Sequence, residues 1–180
     1  MRPDLRQWER HDVLPDGTRV LVRPLRPEDA ALYPEFFREV TPEDARLRFF
    51  GPMRELSADR IEQFTHLDYD RAMAFIALDE AGGRMLGVVR LHFDEDRQGG
   101  EFAVIVSSRL KTHGLGWLLM QRMIDYAKAV GLKQVHGQVL AENAIMLRLC
   151  AELGFHIAVD PDSAHIKVVT LPLEPDRERA

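Results

Sequence analysis

The stretch that most constrains this chain is residues 101–120, EFAVIVSSRLKTHGLGWLLM, because its apolar pattern changes period partway along. Residues 101–106 form a near-continuous apolar run, as expected for a strand that is covered on both faces. From Leu115 onward the apolar residues recur at helical spacing, so a helix begins there. Gly114 and Gly116 stand at the junction. The stretch therefore predicts a strand, a tight glycine turn and a helix in succession.

The remaining apolar patterns predict strands and helices in a mixed order. The expected strands cover residues 19–23, 73–78, 85–93, 101–106 and 134–140, with a final pair inside residues 155–173. The expected helices cover residues 27–40, 57–65, 115–130 and 143–153. Helices that interrupt hairpin-connected strands in this way indicate an α+β (mixed α/β) fold with a largely antiparallel sheet.

The length of the chain indicates a single domain, because 180 residues can bury a substantial core without disulfides or metals. We place this domain at residues 17–173. Residues 1–16 are polar and are predicted to be flexible. Residues 174–180 are strongly charged and are predicted to form a disordered tail.

Composition argues against several classes of protein. The single cysteine, Cys150, cannot form an intrachain disulfide, which favours a reducing compartment and a cytoplasmic location. A net charge of -5 argues against broad nucleic-acid binding. Nowhere do about 20 apolar residues follow one another, so no membrane partner is expected. The seven histidines show no metal-ligand spacing, and no metal is expected.

A strand, a glycine turn and a helix can together bind a phosphate group. The first backbone N–H groups of a helix have no partners inside the helix, and the helix dipole adds positive charge there. A glycine lets phosphate approach closely, while Lys111 and His113 place positive charge nearby. The P-loop spacing is absent, and a dinucleotide fold would require a third glycine where Leu119 stands. A tight turn that binds nothing is an equal alternative on these residues alone.

Two motifs indicate which phosphate ligand is involved. Residues 111–116 read K-T-H-G-L-G, which resembles the loop that binds the diphosphate of acyl-CoA in the GNAT N-acetyltransferases. Lys111 stands where that family usually has Gln or Arg, so it keeps the positive charge but lacks the planar Arg fork. In that family an Asn opens a later helix and a Gly-Phe pair closes it. Asn143 and Gly154-Phe155 match this second motif in order and spacing.

Four further segments narrow the resemblance: RLRFFGP (46–52), LSADRIEQFTHLDYDRAMAFIAL (56–78), EFAVIV (101–106) and VLAENAIMLRL (139–149). They are similar to the acetyltransferase domain of bacterial Pat-type protein lysine acetyltransferases, over most of residues 18–173. The resemblance implies a central, mostly antiparallel and splayed sheet of six to seven strands flanked by about four helices. It also implies acetyl-CoA as the co-substrate and an amine acceptor, either a lysine-bearing protein or a small molecule.

The same resemblance assigns the site residues. Glu101 is expected to be the general base, acting directly or through a water molecule; without the resemblance, a solvated surface acid is the simpler interpretation. The backbone of Val104, Ile105 and Val106 is expected to pair with the pantetheine arm. The other expected cofactor-binding residues are Lys111, Thr112, His113, Gly114, Leu115, Gly116, Trp117 and Asn143.

Cys150 occupies the position where many family members have a tyrosine that protonates the leaving thiolate. A thiol could donate a proton, but a small apolar filler is the simpler role for a helix cysteine. The sequence therefore leaves three functions open. The first is acetylation of protein lysines, and the second is acetylation of a polyamine, an amino acid or an antibiotic. The third is non-catalytic binding of acyl-CoA. An oligomer formed through an exposed sheet edge is a further possibility.

Overall fold

The computed structural model describes residues 4–51, 53 and 55–174. Residues 1–3 and 175–180, which belong to the predicted flexible segment and the predicted tail, lie outside the described residues. The strands are β1 (Arg10–Val13), β2 (Arg19–Pro24), β3 (Ala72–Asp79), β4 (Met85–Phe93), β5 (Gly99–Val106), β6 (Gln134–Leu140), β7 (His156–Asp160) and β8 (Ser163–Pro172). The α-helices are α1 (Tyr33–Arg38), α2 (Pro42–Phe49), α3 (Ala58–Thr65), α4 (Leu115–Ala129) and α5 (Ala144–Glu152). Short 3-10 helices cover Leu5–Trp8, Pro27–Leu32 and Ser108–Leu110.

The strands of the described residues form one eight-stranded sheet in the order β1-β2-β3-β4-β5-β6-β8-β7. Neighbouring strands are antiparallel except for β5 and β6, which are parallel. The predicted mixed α/β fold with a mostly antiparallel sheet is therefore confirmed. The expected six to seven strands and about four helices become eight and five, because β1 adds an edge strand and α2 adds a helix.

β1 lies in the segment that the sequence analysis assigns to a flexible N-terminus. It pairs with β2 at the edge of the sheet. Trp8, just before β1, packs edge-on against Tyr126 with ring centroids 5.2 Å apart, and Leu14 after it is buried. The polar composition of residues 1–16 does not indicate this strand, because a short edge strand needs few apolar residues. Ordered structure thus begins ahead of residue 17, and the domain boundary placed there stays a prediction.

The sheet has an apolar core on each face, because side chains alternate between the two faces along its strands. One core lies between the sheet and α4 and contains Phe75, Leu91 and Phe102 from the strands and Met120 and Met123 from α4. The other core lies on the opposite face and contains Ile76 and Val88 from the strands, Tyr33 and Phe36 from α1 and Ile61 from α3. Burying each such large apolar side chain contributes about 1.5–3 kcal/mol. The central strands β4 and β5 are therefore held from both sides.

No helix is predicted over residues 42–49, although the start of α2 has a clear chemical cause. The Thr41 hydroxyl caps the helix by accepting the Asp44 N–H at 3.2 Å. Pro42 lies in the first turn, and Glu43 and Asp44 place negative charge at the positive end of the helix dipole. The helix stops at Phe50, whose φ of 60° is left-handed. α2 brings this acidic start and its arginine-rich end beside β5.

Candidate active site

β5 and β6 pair over their first residues and then separate. The pairing stops where Glu101 lies opposite His136. Beyond that point β5 continues to Val106 and β6 continues to Leu140, with a gap between them. The gap opens into a cavity of about 740 Å³. A cavity of this size lies in the usual range for small-molecule and cofactor sites.

The cavity brings together most of the residues that the sequence analysis assigned to the site. Its lining includes Glu101, Val104, Ile105, Val106, Lys111, Thr112, Gly114, Gly116, Trp117 and Asn143. The side chains of two predicted residues lie elsewhere. Leu115 is fully buried in the core beneath α4. The His113 ring faces Asp16, with 3.3 Å between Nδ1 and the carboxylate.

β5 presents a free backbone edge to the cavity. Along its other edge it is paired with β4 throughout, from Gly100 to Val106. On the edge that faces β6, residues 102–106 lie beyond the last pair of the ladder. Because a strand rises about 3.3 Å per residue, residues 104–106 offer roughly 10 Å of backbone donors and acceptors. An extended amide-bearing chain can bind such an edge as an added strand.

The turn after β5 holds several backbone amides without partners. Among the described residues, no hydrogen bond is made by the N–H groups of Thr112, Gly114, Leu115, Gly116 and Trp117. The His113 N–H differs, since it donates to the Leu110 carbonyl at 3.1 Å. The expected set of binding amides at residues 112–117 is therefore interrupted at His113. Free amides at the start of a long helix form a site suited to an anion.

The two glycines of this turn have different physical roles. Gly114 has a φ of +89°, which a side chain disfavours, and a Cβ there would lie 3.2 Å from Pro15 Cδ. Gly116 lies in the first turn of α4, where a Cβ would lie 3.3 Å from Leu149 Cδ2 of α5. Gly114 thus sets the path of the turn, and Gly116 allows α4 and α5 to approach across the cavity.

The Lys111 ammonium is already paired. It donates to Asp44 Oδ1 of α2 at 2.7 Å, and Asp44 also accepts the Ser108 hydroxyl at 2.5 Å. Burial opposes ionisation of Asp44, but its hydrogen bonds and the positive charge of Lys111 together outweigh burial and lower the pKa of the carboxyl. Asp44 therefore neutralises much of the positive charge that the sequence assigns to Lys111. The free amides of the turn become the principal attraction for an anion.

Glu101 lies at the opposite end of the β5 edge, where the two strands begin to diverge. It is exposed and lines the cavity. His92 lies directly across from it on β4 and therefore projects from the same face of the sheet. His92 is exposed, yet desolvation of its ring, together with the charges of Arg90 and Arg48, lowers its pKa and so favours the neutral form. A carboxylate placed here can accept a proton from an amine that enters the cavity.

Sequence reasoning missed a group of arginines beside Glu101. Arg90 of β4 donates to the Tyr33 hydroxyl at 2.6 Å and to the Phe64 carbonyl at 2.7 Å. Arg48 of α2 and Arg60 of α3 line the cavity. Burial, and then the charges of Arg90 and Arg60, lower the pKa of Arg48 to about 10. Nothing in the local sequence indicated this group, because three separate elements supply it.

Cys150 does not face the cavity. Its side chain is fully buried in the core beneath α4, and burial raises the pKa of its thiol to about 12. A thiol with so high a pKa is a weak proton donor. The apolar-filler interpretation agrees with this environment.

We expect the native Cys150 thiol to be unreactive toward a disulfide reagent such as dithionitrobenzoate at pH 8, because neither thiolate nor access is available. Absorbance should show almost no reaction in buffer and a single thiol per chain in denaturant. Fast reaction of the folded protein would place Cys150 on an open surface and contradict this assignment.

Asn143 stands at the start of α5 and lines the cavity. Its side-chain oxygen accepts the Met146 N–H at 3.2 Å and so caps the helix. The side-chain amide nitrogen keeps two N–H donors, since the capping bond occupies the oxygen. The residue therefore fixes the end of α5 and has donors left for a ligand.

We expect Asn143→Ala to lower the free energy of unfolding by about 0.5–2 kcal/mol, because a helix cap is lost. Urea denaturation measures this change. Ser57→Ala is the matched control, since Ser57 caps α3 through the Arg60 N–H and does not line the cavity. Both variants should lose similar stability, but only Asn143→Ala should also weaken binding of coenzyme A. Equal coenzyme affinity in the two variants would remove Asn143 from the binding site.

Comparison with known proteins gives the family context of this cavity. The family model described as an acetyltransferase (GNAT) domain matches residues 19–156. An acetyltransferase of Pseudomonas aeruginosa, PA5475, is 35% identical over 153 residues, which cover 84% of this chain and 82% of that protein.

Solved structures show the same fold. The GNAT domain of S. lividans PAT superimposes with a TM-score of 0.86 at 24% identity, covering 93% of this chain and 98% of that one. The ribosomal-protein-S5-alanine acetyltransferase of Vibrio fischeri gives a TM-score of 0.69 at 17% identity, covering 94% and 100%. At these identities the likeness concerns the fold.

Proposed function

Because the chain belongs to the GNAT acetyltransferase family and is an acyl-CoA-dependent N-acetyltransferase, we propose that it acetylates lysine side chains of proteins, with Glu101 as general base. The observation that carries the proposal is the continuous cavity between β5 and β6. It joins the free amides that begin α4 to the Glu101 carboxylate. A coenzyme held by its diphosphate at one end presents its thioester at the other.

Coenzyme A would lie along the free edge of β5. Its diphosphate binds the amides of Thr112, Gly114 and the first turn of α4, where the helix dipole adds attraction. Its pantetheine amides pair with the backbone of residues 104–106 as an added strand. A β5 amide then donates to the thioester carbonyl and stabilises the oxyanion that develops during attack.

The reaction is a direct transfer between the amine and the thioester. A lysine amine with a pKa near 10.4 is mostly protonated at pH 7, so freeing its lone pair costs about 4–5 kcal/mol. Glu101 takes that proton, directly or through water, so that the neutral amine can attack. The nitrogen loses its second proton to solvent as the N–C bond forms and the C–S bond breaks. Buried Cys150 cannot supply a proton to the thiolate, which leaves as the anion and is protonated by solvent.

What supports a protein acceptor over a small amine is the sequence resemblance of residues 46–52, 56–78, 101–106 and 139–149 to the Pat-type protein lysine acetyltransferases. The test is release of coenzyme A thiol from acetyl-CoA with lysine peptides, polyamines, amino acids and aryl amines. Thiol release with peptides, together with an acetyl-lysine product in mass spectrometry, supports the proposal. Release with small amines alone assigns a small-molecule acetyltransferase. Tight coenzyme binding with no release for any amine assigns a non-catalytic binding protein.

A further inference from the structure

Arg48 of α2 is partly buried and keeps one polar side-chain atom without a hydrogen-bond partner. This atom is Nε, which is fully buried; every other fully buried nitrogen or oxygen atom in the described side chains has a hydrogen-bond partner. The guanidinium instead stacks on the Phe49 ring, with 4.7 Å from Cζ to the ring centroid. A buried N–H group in proteins is normally paired with an acceptor oxygen.

The charges around Arg48 do not supply that partner. Arg90 and Arg60 lie close enough to lower the pKa of Arg48, and Glu101 is the carboxylate whose charge opposes them. No ion pair joins Arg48 to any residue that the structure describes, whereas neighbouring Arg46 pairs with Glu43 and Glu142 at 2.7 Å each. Arg48 and Glu101 thus line one cavity as opposite charges that are not paired with each other.

The position of Arg48 in the cavity favours contact with the acceptor substrate over contact with the coenzyme. Arg48 lines the cavity together with Phe50 and Arg60, which are both exposed. Arg60 lies over the Phe49 and Phe64 rings at 5.8 Å and 5.6 Å, so positive charge extends from Arg48 to the surface. The coenzyme edge of β5 leads to the opposite end of the cavity. A substrate that enters from solvent on the α2–α3 side therefore passes the arginines first.

We infer that Arg48 forms a carboxylate subsite, so that the preferred acceptor carries a carboxylate close to its reacting amine. This inference rests on the proposed function. The amine binds at Glu101 while the carboxylate accepts N–H groups of Arg48, whose fork suits that geometry. In a protein acceptor the carboxylate comes from an Asp or Glu beside the lysine. In a free amino acid it is the carboxylate of the molecule itself, and both sources share one chemistry.

Matched acceptor pairs test the inference. Lysine peptides carry Glu or Gln immediately before or immediately after the lysine, and α-amino acids are compared with their own amides. We expect kcat/KM to be roughly tenfold to a hundredfold higher for the charged member of one pair, the range of a hydrogen bond to a charged group. A preference among the peptides identifies a protein carboxylate, and a preference among the amino acids identifies a free one. Equal values within every pair overturn the inference.

Variants locate the effect at Arg48. Arg48→Met keeps a flexible apolar stem against Phe49 and should bring the ratio of kcat/KM close to one. Arg48→Lys keeps the charge without the fork and should give an intermediate ratio. Arg46→Met is the matched control and should retain the ratio of the parent protein. A full preference in a folded Arg48→Met variant contradicts the inference, and the peptide pairs remain decisive if that variant does not fold.

Three outcomes separate this inference from other interpretations of the cavity. If the parent protein prefers succinyl-CoA to acetyl-CoA and Arg48→Met loses that preference, the carboxylate belongs to the donor and the inference is wrong. If coenzyme A binds but no amine is acetylated, the proposed function has failed. If amines are acetylated without regard to a neighbouring carboxylate, only the subsite has failed.

Discussion

Glu101→Gln is expected to lower kcat by about 10²-fold or more while the affinity for coenzyme A stays nearly unchanged. The amide keeps the size of the side chain but cannot accept the amine proton. Glu101 lies where β5 and β6 part, away from the amides at the start of α4, so the coenzyme site should not change. Steady-state thiol release gives kcat, and isothermal titration calorimetry gives the dissociation constant.

A matched control separates loss of the base from loss of one negative charge. Glu95→Gln removes an exposed carboxylate in the turn before β5, outside the cavity lining, and should leave kcat unchanged. The pH profile provides a second readout, since the residual rate of Glu101→Gln should rise with pH as hydroxide and free amine replace the base. An unchanged kcat in Glu101→Gln would remove this residue from the mechanism.

Gly114→Val is expected to raise the dissociation constant for coenzyme A by about a hundredfold or more, because several hydrogen bonds to the diphosphate are lost together. The backbone φ of +89° is strongly unfavourable for a β-branched residue, and the new Cβ would meet Pro15 at 3.2 Å. The turn must therefore take another path, which moves the free amides. Isothermal titration calorimetry measures the loss.

Gly131→Val controls for backbone strain alone. Gly131 follows α4 at its other end with a φ of +83°, and no atom lies within 4 Å of a Cβ built there. Each variant should lose stability of order 1–3 kcal/mol from the strained conformation. Coenzyme affinity should fall for Gly114→Val and stay close to that of the parent protein for Gly131→Val. A Gly114→Val variant with normal affinity would show that the turn does not hold the diphosphate.

The sequence was informative where the cause of structure is local. The change of period across Gly114 and Gly116 predicts the strand, the turn and the helix that the structure contains. Ser57 was identified as a helix start, and it caps α3. Thr41 and Pro42 offered the same local cues for α2, which the sequence analysis did not use.

Other features of the site depend on contacts between distant parts of the chain. Lys111 has the charge expected of a residue that binds phosphate, but its ammonium forms an ion pair with Asp44, which lies 67 residues away in the sequence. Arg48 looks like an ordinary surface arginine of a helix, and only the packing of α2 against β5 reveals that it lacks a partner. The identity of these residues could be read from the sequence, whereas their pairing could not.

The most direct test of the account is a crystal structure of the protein with coenzyme A. We predict that the diphosphate contacts the amides of Gly114, Gly116 and Trp117, that the pantetheine arm runs along residues 104–106, and that the sulfur points toward Glu101. A coenzyme bound outside the gap between β5 and β6, or one whose sulfur points away from Glu101, would contradict the account.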